Sequence, residues 1–318
     1  MAHLVGDIGA TNARFALVDA DGALAHFASF LCEDYPGIGE AIDAYLAQAN
    51  AAPPTHAALA VATTPDGDRV CFTNNPWAFS IDALGRRFGF SRLEVVNDFH
   101  ANALALPHLS AGDVMPVGGG TAFSRAPKGV IGPGSGLGVA ACVWNGERYL
   151  PLSGEGGHVT MPPTDEMESE VLAILRRRFD HVSAERVLSG PGLVHLYEAL
   201  CELKGQRSPG ITAAQITDAA TAERDACAAD AVAMFCAMLG TVAGNLALTI
   251  GARGGIYIAG GIVPRLGTRF AQSPFRRRFE DKGRFREYLA GVPTSVIVRH
   301  DAALVGAAAL LAETSPSA

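Results

Sequence analysis

Basic residues are outnumbered in this chain of 318 residues: 25 Lys and Arg face 32 Asp and Glu, for a formal net charge of −7. That balance argues against nucleic acid as a main partner, because a polyanion is held chiefly through Lys and Arg contacts to phosphate. The only basic clusters are the arginine triplets at 176–178 and 276–278. Each lies in a helix-like segment beside Phe and Glu and reads as a solvated face. Paired cysteines are also missing. The six cysteines (Cys32, Cys71, Cys142, Cys201, Cys227 and Cys236) include no C-x-x-C and no zinc spacing, which excludes zinc modules and dithiol redox motifs. They read as small buried hydrophobes in a reducing compartment. The start, MAHLVGDIG, lacks the basic-then-apolar plan of a secretory leader, so the expected location is the cytoplasm.

Charge is absent altogether from residues 231–252, a run of 22. Its length suits a membrane span, and Gly240 and Gly244 form a G-x-x-x-G. The run is rich in Ala, Gly and Thr, carries Asn245, and has no second segment to accompany it. It is therefore expected to be a buried core helix, and no membrane partner is expected. With 49% hydrophobic residues, the chain is expected to fold into two domains, each with its own core.

Two phosphate signatures are lacking near the N-terminus. Neither G-x-G-x-x-G nor G-x-x-x-x-G-K-[ST] occurs there. What stands in their place is LVGDIGATNARFALVDADG: an apolar strand, a small-residue turn led by Asp7, and a second strand. After Thr11 the chain alternates like a strand, with Ala13, Phe15 and Leu17 set against Arg14, Ala16 and Val18. This is a hairpin, either an ordinary one or one whose turn grips phosphate. Gly6, Gly9 and Ala10 leave room for backbone N–H groups to approach oxygen atoms. Thr11 and Asn12 add side-chain donors, and Asp7 is suited to holding Mg²⁺ through water.

The plan recurs at residues 130–150, VIGPGSGLGVAACVWNGERYL, which closes on an Asn145-Gly146 turn. Gly132, Gly134, Gly136 and Gly138 are expected to admit positive φ, and Ser135 offers a hydroxyl. Two hairpins of one plan, about 125 residues apart, suggest a duplicated fold with a phosphate loop from each half. A further pair, Gly260-Gly261, follows the apolar strand GIYIA, where a nucleotide base or ribose could meet a lobe edge.

Between these landmarks strands and helices alternate, the α/β signature. A helix is expected over 39–51 and a buried strand over 58–63. Another helix over 81–88 is capped by Ser80, and a strand over 93–98 precedes a helix over 99–106 that Pro107 ends. The boundary falls near 109–120; the second half is mainly helical from 164 to 251, and an Ala/Leu-rich tail helix, 301–313, packs back on the first domain.

Asn97 and Asp98 sit at a strand end, where ligands collect in such sheets. They read either as a cap for the next helix or as a carboxylate that accepts a hydroxyl proton while Asn97 orients the substrate. Glu155 and His158 are three apart in SGEGGHV. The intervening glycines favour a tight loop over a helix, leaving metal ligation, a Glu–His contact or polyol recognition open. Glu185 reads as a first-turn residue behind Ser183 as N-cap, or as one more acceptor. Together these residues suit a neutral ligand rich in hydroxyls.

The segments GDIGATNAR, TNNPWAFS, VVNDF, GPGSGLG, LSGEGGHV, HVSAERVLSGPGL, GNLAL, IAGGIVPR and FEDKGRF run in order from Leu4 to about Gly306. In that order and spacing they resemble the bacterial ATP-dependent glucokinases of the sugar kinase, heat-shock chaperone and actin superfamily. The resemblance implies an α/β, duplicated ribonuclease H-like (actin-like ATPase) fold. Its small domain would be 1–108 plus 299–318 and its large domain 109–298, with a cleft that closes over the sugar. It further implies phosphorylation of D-glucose at the 6-hydroxyl, the first step of glycolysis, with Asp98 as general base. Asn97, Asp98, Glu155, His158 and Glu185 would bind glucose. Gly6, Asp7, Ile8, Gly9, Ala10 and Thr11, with Gly132, Gly134, Ser135 and Gly136, would bind the phosphates of ATP, and Gly260 and Gly261 would lie near the adenosine. ATP, Mg²⁺ and a homodimer are implied as well, with Asp7 reaching the metal through water.

Ala10 stands where the family usually has Gly, Ser135 where Thr is frequent, and ATTPDGDRV (62–70) moves the usual proline one place. A kinase for mannose, glucosamine or fructose is an alternative. A sugar-sensing regulator on the same fold is another, although it could lose Asp98 or the phosphate loops, which are present here. An actin-like or chaperone-like ATPase would not need the polar cluster.

Overall fold

The computed structural model describes residues 2–72 and 75–312. Thr73 and Asn74 of TNNPWAFS, and residues 313–318 of the expected small domain, lie outside the described residues. The chain divides into two compact units, one of residues 1–109, 149–153 and 299–318, the other of residues 110–148 and 154–298.

In the first unit His3–Ile8 (β1), Asn12–Val18 (β2) and Leu24–Leu31 (β3) form an antiparallel meander, followed by helix Ile38–Ala49 (α1) and strand His56–Val61 (β4). A two-stranded ribbon, Arg69–Cys71 (β5) and Ala78–Ser80 (β6), leads into helix Ile81–Phe88 (α2). Strand Arg92–Asn97 (β7) runs into helix Asp98–Ala105 (α3). The sheet order is β3-β2-β1-β4-β7, with β1, β4 and β7 mutually parallel.

Both faces of this sheet are covered, which is why β1 and β4 read as nearly unbroken apolar runs. Leu4, Phe15, Leu17 and Leu59 pack with Ile42 and Tyr45 of α1. Val5, Ala16, Val18 and Ala58 face the other way, onto Leu304, Ala307 and Leu311 of the C-terminal helix Ala302–Ala312. Each such large side chain contributes about 1.5–3 kcal/mol through burial. Gly306 lies so close to the Ala101 carbonyl that a Cβ there would overlap it. The tail helix therefore belongs to the first unit and lies against α3.

The second unit carries strands Val114–Gly118 (β8), Lys128–Pro133 (β9) and Leu137–Trp144 (β10). Tyr149–Gly154 (β11) follows, its first five residues grouping with the first unit. Ile256–Ile258 (β12) and Thr294–Ile297 (β13) complete a six-stranded sheet of order β11-β10-β9-β12-β13-β8. In both units an antiparallel hairpin continues sideways into parallel strands, β1–β2 into β4 and β9–β10 into β12.

Helices Glu166–Arg176 (α4), Gly190–Leu203 (α5), Ala213–Thr221 (α6) and Ala226–Ile250 (α7) build the core behind it. Helix α7 is the uncharged run, long and apolar enough to cross a membrane, and two thirds of its most apolar stretch is buried in this core. Its G-x-x-x-G serves helix packing. Cβ atoms on Gly240 and Gly244 would collide with the carbonyls of Phe275 and Phe279 on helix Phe275–Glu280.

Several expectations are corrected. Arg276 and Arg278 are not solvated: their side chains are 13% and 11% exposed. Arg276 donates to the carbonyls of Leu289, Ala290 and Val292, and Arg278 lies 2.9 Å from the buried Glu168. Five cysteines are buried, but Cys71, on the two-stranded ribbon, is exposed. Gly132, Gly134, Gly136 and Gly138 all keep negative or extended φ; space, not handedness, sets their identity where it is set at all. Helix α3 ends at Ala105, just before Pro107, as expected. Pro107 itself sits inside a 3₁₀ turn, Leu106–His108, that follows α3, as proline tolerates at a helical first turn.

Candidate active site

Strand β7 delivers Asn97 and Asp98 to the start of α3. Asn97 is the N-cap: Oδ1 accepts from Phe99 N–H at 2.9 Å, while Nδ2 donates to the Thr63 carbonyl at 3.3 Å. Asp98 is the first helical residue, and its Oδ1 also lies 2.9 Å from Phe99 N–H. The capping reading thus holds for Asn97, and it fixes where the next side chain stands. The Asp98 carboxyl is pushed up to about 7, chiefly by burial and then by the negative charge of Asp7. Phe99 N–H and the Asn97 side chain oppose the shift without cancelling it. A carboxyl titrating there is half ionised near neutrality, where a general base transfers protons most effectively.

Asp7, the last residue but one of β1, is half-buried and accepts a 2.8 Å ion pair from Arg14 on β2. Burial raises its carboxyl against the pull of that guanidinium. In the hairpin turn, Gly9 N–H donates to the Asn12 carbonyl at 2.9 Å, and Ala10 and Thr11 stand at the tip. Ile8 is a core residue, and Gly6 is buried beneath Leu59 and Phe15, where a Cβ would come within 2.7 Å of Leu59 Cδ2.

The second unit gathers the remaining candidates around its own glycine loop. Gly134 N–H donates to the Gly136 carbonyl, and the Gly134 carbonyl accepts from Gly190 N–H at the start of α5, both at 2.8 Å. Glu185 Oε2 accepts from Leu137 N–H at 2.8 Å. A Cβ on Gly136 would overlap that carboxylate. Ser135 lies between these anchors. Ser183 does not cap a helix over Glu185. That stretch is a turn, and α5 begins only at Gly190 with Ser189 as its N-cap.

Glu155 bridges to Val139 of β10, and Gly157 packs on the Leu137 carbonyl while its own carbonyl accepts from Glu185 N–H at 2.9 Å. Glu155, His158, Glu185 and the 132–138 loop are therefore one structural cluster. Residues 156–158 form a single 3₁₀ turn, a tight loop as the glycines led one to expect. Glu155 Oε2 and His158 Nε2 stand 3.9 Å apart, both well exposed. His158 and Glu185 line an open groove of about 430 Å³ with Phe179, His181 and Arg186, which sequence reasoning did not single out. Gly260 (φ +83°) follows β12, and a Cβ there would strike the Pro133 carbonyl, so the 260–261 pair abuts the same glycine loop.

Among the described residues no group of three or more His, Cys, Asp or Glu is arranged to hold a metal. That disfavours ligation by the Glu155–His158 pair. Asp7 offers one hard carboxylate, a donor set that fits Mg²⁺ retaining most of its waters. Thr63, Arg14, Asn75 and Pro133 were also missed by sequence. Arg14 meets Asp7 across the hairpin, while the other three act through partners remote in the chain, of which composition carries no signal.

A profile of the glucokinase family matches residues 4–314. A glucokinase of Aromatoleum aromaticum is 50% identical over 97% of this chain and 94% of its own. The crystal structure of a glucokinase from an Antarctic psychrotroph superposes with a TM-score of 0.90 at 37% identity, covering 98% of this chain and 99% of that one. A ROK family glucokinase from Streptomyces griseus, solved in complex with glucose and AMPPNP, shares the fold at 21% identity (TM-score 0.66, 98% and 99% covered). On this full-length match, and with the polar cluster and both glycine loops in place, the chain belongs to the glucokinase family, whose activity is ATP-dependent phosphorylation of glucose.

Proposed function

We propose that this chain transfers the γ-phosphoryl group of ATP in line to the 6-hydroxyl of D-glucose, with Asp98 accepting the hydroxyl proton as the O–P bond forms. The observation that carries this reading is the place of the Asp98 carboxyl, set by the Asn97 cap where β7 runs into α3; burial and the charge of Asp7 raise its pKa there. Phosphoryl transfer asks a protein mainly for positioning and for stabilisation of spread negative charge. Asn97, Glu155, His158 and Glu185 hold the sugar hydroxyls. The 6–11 turn and the 132–136 loop hold the phosphates through backbone N–H groups, and Gly260 and Gly261 border the adenosine. Asp7 would hold Mg²⁺ through water, and the ion would supply neutralisation of phosphate charge.

The matching hairpin-then-parallel order of the two sheets supports a duplicated, actin-like fold. In this reading its small domain is 1–108 plus 299–318, its large domain is 109–298, and the two close over the sugar. The reading extends to a cytoplasmic homodimer acting at the first step of glycolysis. The test is a coupled assay of the purified protein with ATP and Mg²⁺ against glucose, mannose, glucosamine and fructose. Glucose is expected to give the highest kcat/KM and to yield glucose 6-phosphate. Preferred turnover of another hexose would move the substrate; absence of transfer to any would overturn the reading.

A further inference from the structure

We propose that Asn75, seconded by Cys32, is a positioning residue for the nucleotide, setting the peptide geometry of the first hairpin turn. The proposal rests on the assignment of that turn to the phosphates of ATP. Asn75 is only 6% exposed, and both ends of its amide are engaged. Oδ1 accepts from Trp77 N–H at 2.9 Å, and Nδ2 donates to the Gly9 carbonyl at 3.2 Å, 66 positions away in sequence. The same carbonyl lies 3.7 Å from Cys32 Sγ, a weaker donor. Cys32 also donates its backbone N–H to the Thr11 carbonyl at 2.8 Å. The platform is itself anchored: buried Trp77 donates Nε1–H to the Tyr35 carbonyl at 3.0 Å.

The consequence follows from peptide planarity. The C=O of Gly9 and the N–H of Ala10 belong to one rigid plane and point in opposite directions. A carbonyl drawn toward Asn75 and Cys32 therefore turns the Ala10 N–H the other way, outward at the hairpin tip. An outward N–H is what an anion needs from a turn. Glycine at position 9 leaves that plane free to rotate, and the two side-chain donors remove the freedom. The NPWAFS portion of the TNNPWAFS segment thus holds the turn assigned to phosphate from the carbonyl side of the Gly9 peptide.

The test compares three variants by steady-state kinetics, varying ATP and glucose separately, together with thermal unfolding. Asn75→Asp keeps the acceptor for Trp77 N–H and sets an oxygen in place of the donor to Gly9. It is expected to raise KM for ATP about tenfold, the effect of a lost buried hydrogen bond, with KM for glucose changed by less than about twofold. Cys32→Ala removes the weaker donor and is expected to raise KM for ATP about two- to threefold; if Asn75→Asp does not fold, this variant decides. Ala10→Asp places a negative charge at the tip and tests the turn directly.

A rise in KM confined to ATP in the Asn75 or Cys32 variant, with stability lowered by no more than the lost hydrogen bond accounts for, supports the proposal. Unchanged KM for ATP, or parallel rises for both substrates with a lowered unfolding temperature, overturns it. If Ala10→Asp also leaves KM for ATP unchanged, the phosphate assignment of the turn fails with it. If Ala10→Asp alone raises that KM, the assignment survives and only the role of Asn75 is lost.

Discussion

Replacing Asp98 by Asn is expected to inactivate the enzyme and to stabilise it at the same time. The amide can still accept from Phe99 N–H through Oδ1, so the cap geometry of α3 is retained. What is lost is the proton acceptor, a general base worth about 10²–10⁴ in kcat. What is relieved is a buried charge next to Asp7. Folding raises the Asp98 carboxyl from 3.8 to about 7. Its stabilising contribution is therefore complete below about pH 4 and disappears as pH rises through about 7. Above that, the ionised group opposes folding by up to about 4 kcal/mol, taking about three units at ~1.4 kcal/mol each. Asn carries no charge, so at pH 8 the variant is expected to be more stable by roughly 1–4 kcal/mol. Urea unfolding at pH 5 and pH 8 measures this, and the gain should shrink at the lower pH. In the parent, kcat should climb roughly tenfold from pH 6 to pH 8 as the base ionises. A flat pH profile over that range, or a variant no more stable than the parent at pH 8, would refute the reasoning.

Gly260→Ala forces a side chain into positive φ and onto the Pro133 carbonyl. It should lower stability by about 1–3 kcal/mol and raise KM for ATP several-fold, read by thermal unfolding and kinetics. Glu185→Ala frees Leu137 N–H from its 2.8 Å acceptor, with an expected loss of about 1–3 kcal/mol at that contact. KM for glucose should rise about 10- to 100-fold, and Glu185→Gln, which keeps an acceptor, should lose less. Arg278→Met strips the counter-ion from Glu168, itself 1% exposed. Stability should fall by about 3–5 kcal/mol while kcat of the folded fraction is unchanged, a pairing that denaturation and active-site titration separate.

Local rules were legible where the partner lies close in sequence. Ser80 caps α2 by accepting from Ala83 N–H, and Asn145 closes the hairpin turn it was expected to close, accepting from Glu147 and Arg148 N–H. The alternation after Thr11 became β2, and the uncharged run became a core helix because its small residues let another helix approach. The candidate site was legible as a set of residue types and in the position of Asp98, but not in its wiring. Glu185 meets Leu137 across 48 positions, and Asn75 meets Gly9 across 66. Nothing in residue order encodes such encounters; they arise when strands and turns pack. The arginine triplets misled for a related reason. Helical periodicity places a guanidinium on a face, but it does not say that the face meets three backbone carbonyls, as at Arg276.

The tail helix has a consequence for biosynthesis. Leu304, Ala307 and Leu311 cover the side of the first sheet that carries Val5, Ala16 and Val18. Nearly three hundred residues of chain separate the two partners in this pairing. On the ribosome, then, the N-terminal strands emerge long before their lid, and one apolar side of that sheet waits in water until residues 304–311 have followed. Trigger-factor-like holding proteins would find a client surface there. A released chain truncated before Ala302 should display a protease-sensitive first half, whereas the helical second half, whose partners all precede that point, should resist.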